Sequence, residues 1–342
     1  MSKVERQANA EAAAHDHTGR IGAGRAPAIL GLDPYTSPYD AWLEIKGERE
    51  DDGTLHEAAH WGTVLEDIVV RQGYEPRTGM KTQRVNQTLR HPDAPFITCH
   101  LDRRVIPTST QATVQVKCRD RFVRDKWGAA NTSDIPSKEA AQGMVEIEIA
   151  NAVLPGGVTR EDFAVLFGGN TFEIFPLHRD EKHGPEIIEV LAHWWHVHID
   201  GDRAPDAETM RDCQKKWSKP VGDHRELTLE TKELLAAFIT AEESGKSADG
   251  IKQDARLGLM KAIGDHQCLT AEGKPIVSWR MVKAFDSEAF LREQSEIAKQ
   301  CSKLDLASLK TEHPKLHELY LRKEKRGNMT VNRNAARRLL NK

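Results

Sequence analysis

The sequence predicts an α/β chain: a mixed β-sheet flanked by helices, followed by a mainly helical region that carries a short β-hairpin. Three observations lead to it. Helical spacing governs residues 26–72, and strand-rich segments with β-branched residues take over in 95–118. The α-then-β order repeats through residue 199. Past Asp200 the chain turns polar before two further helical arms begin at residue 229.

Each element has a local cause. Residues 1–19 are polar and read as a flexible lead. APAILG (26–31) opens a short apolar helix that Gly31 ends, and LDPYTSP is a turn punctuated by Pro34 and Pro38. PYDAWLEIKG (38–47) suits a helix with Pro first and Gly last. In 57–72, Trp61, Val64, Leu65, Ile68 and Val69 fall on one helical stripe. PFITCHLDRRVI (95–106) and ATVQVKC (112–118) are β-rich, with PTSTQ as the hairpin between them. Residues 136–152 read as a helix with Pro136 in its first turn. A strand pair follows over 162–177 around Gly168-Gly169-Asn170, then a helix over 184–199.

The resulting division is a lead at 1–19, a core at 20–205, a linker at 206–228 and an accessory region at 229–342. The accessory region opens with a helical hairpin (229–264) broken at ESGKSADG. Leu234, Leu235, Phe238 and Ile239 on its first arm face Ile251, Leu257, Met260 and Ile263 on its second. Strands at 266–270 and 275–282 turn at 271–274, and helices follow near 286–300 and 312–322.

Composition narrows the function classes. The chain has 342 residues, 39% hydrophobic and 30% charged, with 49 Lys+Arg against 52 Asp+Glu. That is a globular composition. No run of 18 apolar residues occurs, so no membrane-spanning helix is expected, and the polar first 20 residues do not resemble a secretory signal. Cys99, Cys118, Cys213, Cys268 and Cys301 are odd in number and contain no C-x-x-C, which argues against a disulfide framework, a zinc ribbon or an iron–sulfur site. A reducing cytoplasm fits. The near-neutral total hides two basic stretches that suit a phosphate backbone. Residues 102–126 hold seven Lys/Arg against three Asp, and the last 22 residues hold eight against Glu324 alone.

One constellation carries chemistry. Glu66 lies on the helix of GTVLED, Asp102 on the first hairpin strand, and Gln115 and Lys117 on the second. Residues two apart on a strand share a face, so Gln115 and Lys117 project together and Asp102 can face them from the neighbouring strand. This is the spacing of an Asp…(Asp/Glu)-x-Lys nuclease site, in which carboxylates hold Mg²⁺ and the lysine orients or acidifies the attacking water. The bland alternative is a surface hairpin with ordinary charges.

The sequence also resembles the YqaJ-type viral recombinases, relatives of phage lambda exonuclease in the restriction-endonuclease-like PD-(D/E)xK nuclease superfamily. The resemblance runs from RIGAGRAPAILGLDPYTSPYDAWLEIKG through WGTVLED, HPDAPFITCHLDRRV, VQVK and IPSKEAAQGMVEIEIA to DFAVLFGGNTFEIFPLHRDE and HWWHVHIDGDRAP. Later motifs extend it to about residue 331. It implies a restriction-endonuclease-like core and a Mg²⁺-dependent exonuclease, with Mn²⁺ as a substitute and two ions per site. The implied action is resection of linear duplex DNA from the 5′ end. The implied setting is phage or prophage recombination in the bacterial cytoplasm, with a single-strand annealing partner and a ring-shaped homo-oligomer such as a trimer.

Residue by residue, the resemblance implies metal ligation by Glu66, Asp102, position 115 and the Val116 carbonyl, with Lys117 and Gln142 completing the site. It places phosphate on Arg20, Gly22, Gly24 and Arg25. Arg103, where the family has glycine, adds a phosphate contact, as does Arg119 in the same basic stretch.

The family expects Glu where Gln115 stands. Losing that charge weakens a hard-cation site. Three explanations remain open at this stage: a deliberate Glu→Gln change, a naturally weakened or silent homologue, or compensation by a neighbour such as His100 or Asp120. Glu146, one turn beyond Gln142, either faces the site or is a solvated helix charge. His193 and His196 share a helical face but lack a Cys or acidic partner at ligand spacing, so HWWHVHID reads as packing, with Trp194 and Trp195 in the core.

Overall fold

The computed structural model describes residues 18–48, 57–222, 224–244, 249–294, 306–321 and 323–340. Most of the lead expected over 1–19 lies outside them. The chain divides into two units at Asp206/Ala207.

The first unit is built on a five-stranded sheet. The chain enters through β1 (Ile21–Gly22), α1 (Ala26–Ile29), α2 (Pro38–Lys46) and α3 (Glu57–Ile68), which runs on through a π-helical stretch, Val69–Tyr74. Ser37 and Asp40 cap α2 reciprocally, and Gly47 ends it at φ 70°. Then come β2 (Lys81–Arg84), β3 (Leu89–Arg90), β4 (Ile97–Cys99), β5 (Arg103–Ile106) and β6 (Ala112–Arg119). The long helix α4 (Ser137–Val153; the four-residue helix at Glu75–Thr78 is left unnumbered) crosses to β7 (Arg160–Phe167), which turns into β8 (Thr171–His178), and α5 (His183–Trp195) follows.

The large sheet has the order β2-β5-β6-β7-β8. β6 and β7 are parallel, and the other neighbours are antiparallel. A parallel pair requires a crossover, and α4 supplies it. This is the mixed sheet flanked by helices that the sequence predicts. β1, β4 and β3 form a separate three-stranded sheet, with Ile21 and Gly22 paired to Ile97 and Thr98.

Period-two alternation decides what each sheet face carries. Ala112, Val114, Val116 and Cys118 of β6 pack with Val69, Tyr74 and Ala164 on one side. Thr113, Gln115, Lys117 and Arg119 therefore face the other side, where α4 lies. The main core of this unit forms around Phe163, Phe167, Phe175, Ile147 and Trp127, with Trp194 and Trp195 buried as predicted.

Two expectations change. The strand foreseen over 95–106 is broken at 100–102, so β4 and β5 belong to different sheets and Asp102 sits at the break, just ahead of β5. The stripe on α3 is only partly used. Leu65 and Val69 pack inward against the sheet, while Trp61 (50%), Val64 (45%) and Ile68 (54%) are exposed.

The second unit begins inside the stretch read as a linker. Met210–Lys216 is a helix capped reciprocally by Thr209 and Asp212, and Cys213 is fully buried in this unit's core. The helical hairpin is present as Leu229–Glu243 and Asp249–Ile263. Leu235, Phe238, Ile239, Met260 and Ile263 are buried, but Ile251 is exposed and Leu259 and Ala255 take its place. The predicted β-hairpin (Cys268–Ala271 with Lys274–Ser278) is flanked by Arg225–Glu226 and Thr330–Val331 into a four-stranded sheet, and Met281–Ala284 pairs with Lys323–Arg326. The C-terminal helix Arg333–Leu340 buries Ala336 in this core, and its Arg333 and Arg337 pair with Glu242 and Glu243. Part of the basic tail is thus neutralised within its own unit.

Candidate active site

Asp102 and β6 meet where β5 begins. The Val116 N–H donates to Asp102 Oδ2 at 2.7 Å, which fixes the carboxylate against the strand that carries Gln115 and Lys117. Lys117 Nζ donates to Gln142 Oε1 at 2.9 Å, and Gln142 Nε2 donates to Glu146 Oε1 at 2.7 Å. Glu146 in turn lies against Glu161, which accepts from Thr113 Oγ1 at 3.1 Å. The strand positions 113, 115 and 117 thus look onto one polar seam between β6 and α4. Arg119 closes its end with an ion pair to Glu139 at 3.0 Å.

Glu66 reaches the site from α3, but its Oε1 is bound by Arg103 Nη1, with Arg84 Nη2 at 3.7 Å. Arg103 also donates to the Asp102 carbonyl at 2.8 Å and to Asp67 Oδ1 at 3.1 Å. It is 3% exposed. The phosphate contact expected of Arg103 is therefore not offered; its guanidinium bridges the acidic helix and the strand instead. Arg25 is half-buried and ion-paired with Glu44, so it too is engaged inside the fold. Arg20 and Gly22 are half-buried, and Gly24 is exposed with open space above its Cα. The pairing of β1 with β4 lays this opening motif beside the strand that leads to Asp102.

His100 and Asp120 do not enter the seam. His100 Nε2 is 3.2 Å from Thr88 Oγ1, and Asp120 caps Phe122 N–H. His196 pairs with Asp200 at 2.6 Å. Among the described residues no three histidine, cysteine or acidic side chains converge as a ready-made metal cage.

The donor set nevertheless fits a divalent cation. Asp102 is a preoriented carboxylate, and Gln115 Oε1 is buried with no hydrogen-bond donor. Hard cations are held by such oxygens. Sequence reasoning missed Glu161. Its only signal is its place among the three charged residues, Arg160, Glu161 and Asp162, that open a strand otherwise apolar, where a buried acid is tolerated only if it serves a polar network.

The electrostatics follow from burial. Burial pushes the Asp102 carboxyl up to about 7, and repulsion from Glu66 adds to it, against the Val116 N–H and Lys117. Burial also raises Glu146 and Glu161. It pulls the Lys117 ammonium down, opposed by Glu146. A pH dependence follows. Between about pH 4 and pH 7 the folded chain holds a proton on Asp102 that the unfolded chain has lost. More protons on the folded state mean that stability falls as pH rises through this window. For a shift of this size the loss is at most about 4 kcal/mol. Thermal melts in EDTA from pH 4 to 7 are expected to show a steeper fall for the native chain than for Asp102→Asn. Identical slopes would contradict the placement of Asp102.

Residues 14–152 match the YqaJ-like viral recombinase domain. A curated relative, the uncharacterized protein YqaJ of Bacillus subtilis (strain 168), is 26% identical over 274 residues, 76% of this chain and 82% of its own length. Among solved structures, an alkaline exonuclease from Laribacter hongkongensis matches 56% of this chain and 94% of its own, at 15% identity and TM-score 0.44. A phage-related exonuclease from Haemophilus somnus 129PT matches 54% and 96%, at 10% identity and TM-score 0.38. The matched residues include Glu66, Asp102, Gln115, Lys117, Gln142 and Glu146, and the match ends within α4.

Proposed function

We propose that the chain is a metal-dependent DNA exonuclease of the phage recombination class. The observation that carries the reading is the placement of Asp102, just ahead of β5, beside Lys117 on the adjoining strand β6, each held by a named partner at hydrogen-bond distance. The YqaJ-like recombinase domain supports the same class.

Asp102, Glu66, the Gln115 amide oxygen and the Val116 carbonyl are the groups that would hold Mg²⁺ or Mn²⁺, in a site for two ions. When bound, a divalent ion supplies Lewis acidity toward the scissile phosphate and makes water a better nucleophile near neutral pH. Val116 N–H orients Asp102. Gln142 holds Lys117 Nζ toward the site, where its depressed pKa lets it give or take a proton near the attacking water. Glu66 becomes available when Arg103 shifts to Asp67, which it already contacts.

The substrate is the end of linear duplex DNA, resected from the 5′ side, and the exposed 3′ strand is handed to an annealing protein. The phosphate-facing role stays with Arg20, Gly22 and Gly24 beside β4, and Arg119 next to the seam joins them when it releases Glu139. The working form is a homo-oligomer, a trimer or another ring, in a phage-infected or lysogenic cytoplasm.

A second reading, a DNA-binding recombination protein of the same fold without turnover, is favoured by one observation, the neutral Gln115. End-labelled linear duplex DNA with a 5′ phosphate separates the two. Digestion in Mg²⁺ and none in EDTA is the expected result. Binding without digestion in either would replace the nuclease with the silent reading.

A further inference from the structure

Three buried oxygens in the polar seam have no hydrogen-bond donor among the described residues, Gln115 Oε1, Glu146 Oε2 and Glu161 Oε2, and the two carboxyl groups lie within hydrogen-bond reach of each other, which requires a proton or a cation between them. Gln115 is 7% exposed, Glu146 1% and Glu161 0%. Buried acceptors without donors are rare, and what satisfies acceptors alone is a proton or a cation. The three are brought together by the fold. Gln115 shares its strand face with Thr113, which donates to Glu161, and with Lys117, which reaches Glu146 through Gln142. The Gln142 amide bridges Lys117 and Glu146, so Glu146 lies at the edge of the site and not in a separate pocket. The nearby arginines do not neutralise it: Arg119 pairs with Glu139, and Arg103 with Glu66 and Asp67.

We propose that Glu146 supplies, from α4, the carboxylate that strand position 115 lacks, so that Asp102, Glu146 and the Gln115 amide oxygen together hold the divalent cation, with Glu161 behind them. The assignment rests on the nuclease reading and deepens it. A hard divalent ion requires anionic oxygen, and an amide contributes none. Moving the carboxylate from strand to helix keeps the charge of the site. It also explains why glutamine is tolerated at 115. A glutamate there would add a further carboxylate beside Glu146 and Glu161 in a buried seam, with Lys117 as the facing cation.

The test is Mn²⁺ binding to the full chain, followed by electron paramagnetic resonance of the free ion, alongside Mg²⁺-dependent digestion. Four proteins are compared: the native chain, Glu146→Gln, the Gln115→Glu, Glu146→Gln double variant, and Asp102→Asn. Circular dichroism and a thermal melt report folding. Glu146→Gln is expected to weaken Mn²⁺ binding at least about tenfold. The double variant, with the carboxylate returned to the strand, is expected to recover most of it.

Unchanged Mn²⁺ affinity in Glu146→Gln, with binding lost in Asp102→Asn, overturns this assignment and leaves the nuclease reading intact. Loss in Glu146→Gln without recovery in the double variant also overturns it, making Glu146 a positioning residue that acts through Gln142. Native affinity in Asp102→Asn removes the metal site itself, and both readings fall. Should Glu146→Gln not fold, Glu146→Asp keeps the charge and shortens the reach. Weakened Mn²⁺ binding is then expected, and native affinity overturns the assignment.

Discussion

Lys117→Met is expected to slow DNA hydrolysis about 100- to 10,000-fold, the range that a positioned proton-transfer group supplies. DNA binding and Mn²⁺ binding should persist, because neither phosphate contacts nor carboxylates are removed. Lys117 Nζ is aimed by Gln142 Oε1, whose amide is in turn oriented by Glu146. Methionine fills a similar volume but has no donor, so it leaves Gln142 Oε1 without its partner and the attacking water without an ammonium neighbour. The folding penalty should stay near that of one lost buried hydrogen bond, about 1–3 kcal/mol. Single-turnover digestion of end-labelled duplex, with a parallel binding assay, reads the two effects separately. A native rate in Lys117→Met would remove the lysine from the chemistry.

Arg326→Met should destabilise the second unit by about 3–5 kcal/mol, the range found when a buried charged partner is removed from its network. Arg326 is 6% exposed, and its guanidinium lies 4.3 Å from the Trp279 ring. It donates to four main-chain carbonyls: Trp217 at 2.9 Å, His266 at 2.8 Å, Trp279 at 2.5 Å and Gly264 at 3.1 Å. These carbonyls lie 47 to 109 residues before Arg326 in sequence. A single side chain thus pins the supposed linker, the end of the helical hairpin and the β-hairpin together. Methionine preserves part of the packing on Trp279 and leaves the carbonyls unsatisfied. Urea melts followed by tryptophan fluorescence should show this unit unfolding earlier. A shift under about 1 kcal/mol would mean that water replaces the guanidinium without penalty.

The two predictions differ in how far they can be read from sequence. Lys117 is legible, because two-residue spacing on a strand is a local rule and Asp102 precedes it by a hairpin's length. Arg326 is not. In RKEKRGNMTV it looks like one more tail charge, and its burial depends on Trp217, Gly264, His266 and Trp279 arriving from elsewhere. The same contrast runs through the fold. The helices 38–47 and 136–152 follow from caps and proline placement, and the turn at Gly168-Gly169 from residues that accept positive φ. The break at 100–102 does not. CHLDRR is as strand-like as its surroundings, and at the break Asp102 turns its carboxylate to the Val116 N–H, a partner from a strand 14 residues on.

By itself the sequence determined the α/β class, the order of the elements and the YqaJ-like motifs, and it nominated the set Glu66, Asp102, Gln115, Lys117 and Gln142. Those are properties of local spacing and composition, carried within one element or between neighbours in the chain. Only the tertiary structure decided which charges face one another. It tied Arg103 to Glu66, drew residues 207–222 into the second unit, and set Glu146 and Glu161 behind Gln115. Such pairings depend on burial, which raises the penalty for an unpaired charge until a partner from a distant segment is required. Burial is fixed by how helices and sheet pack, and no window of sequence contains it.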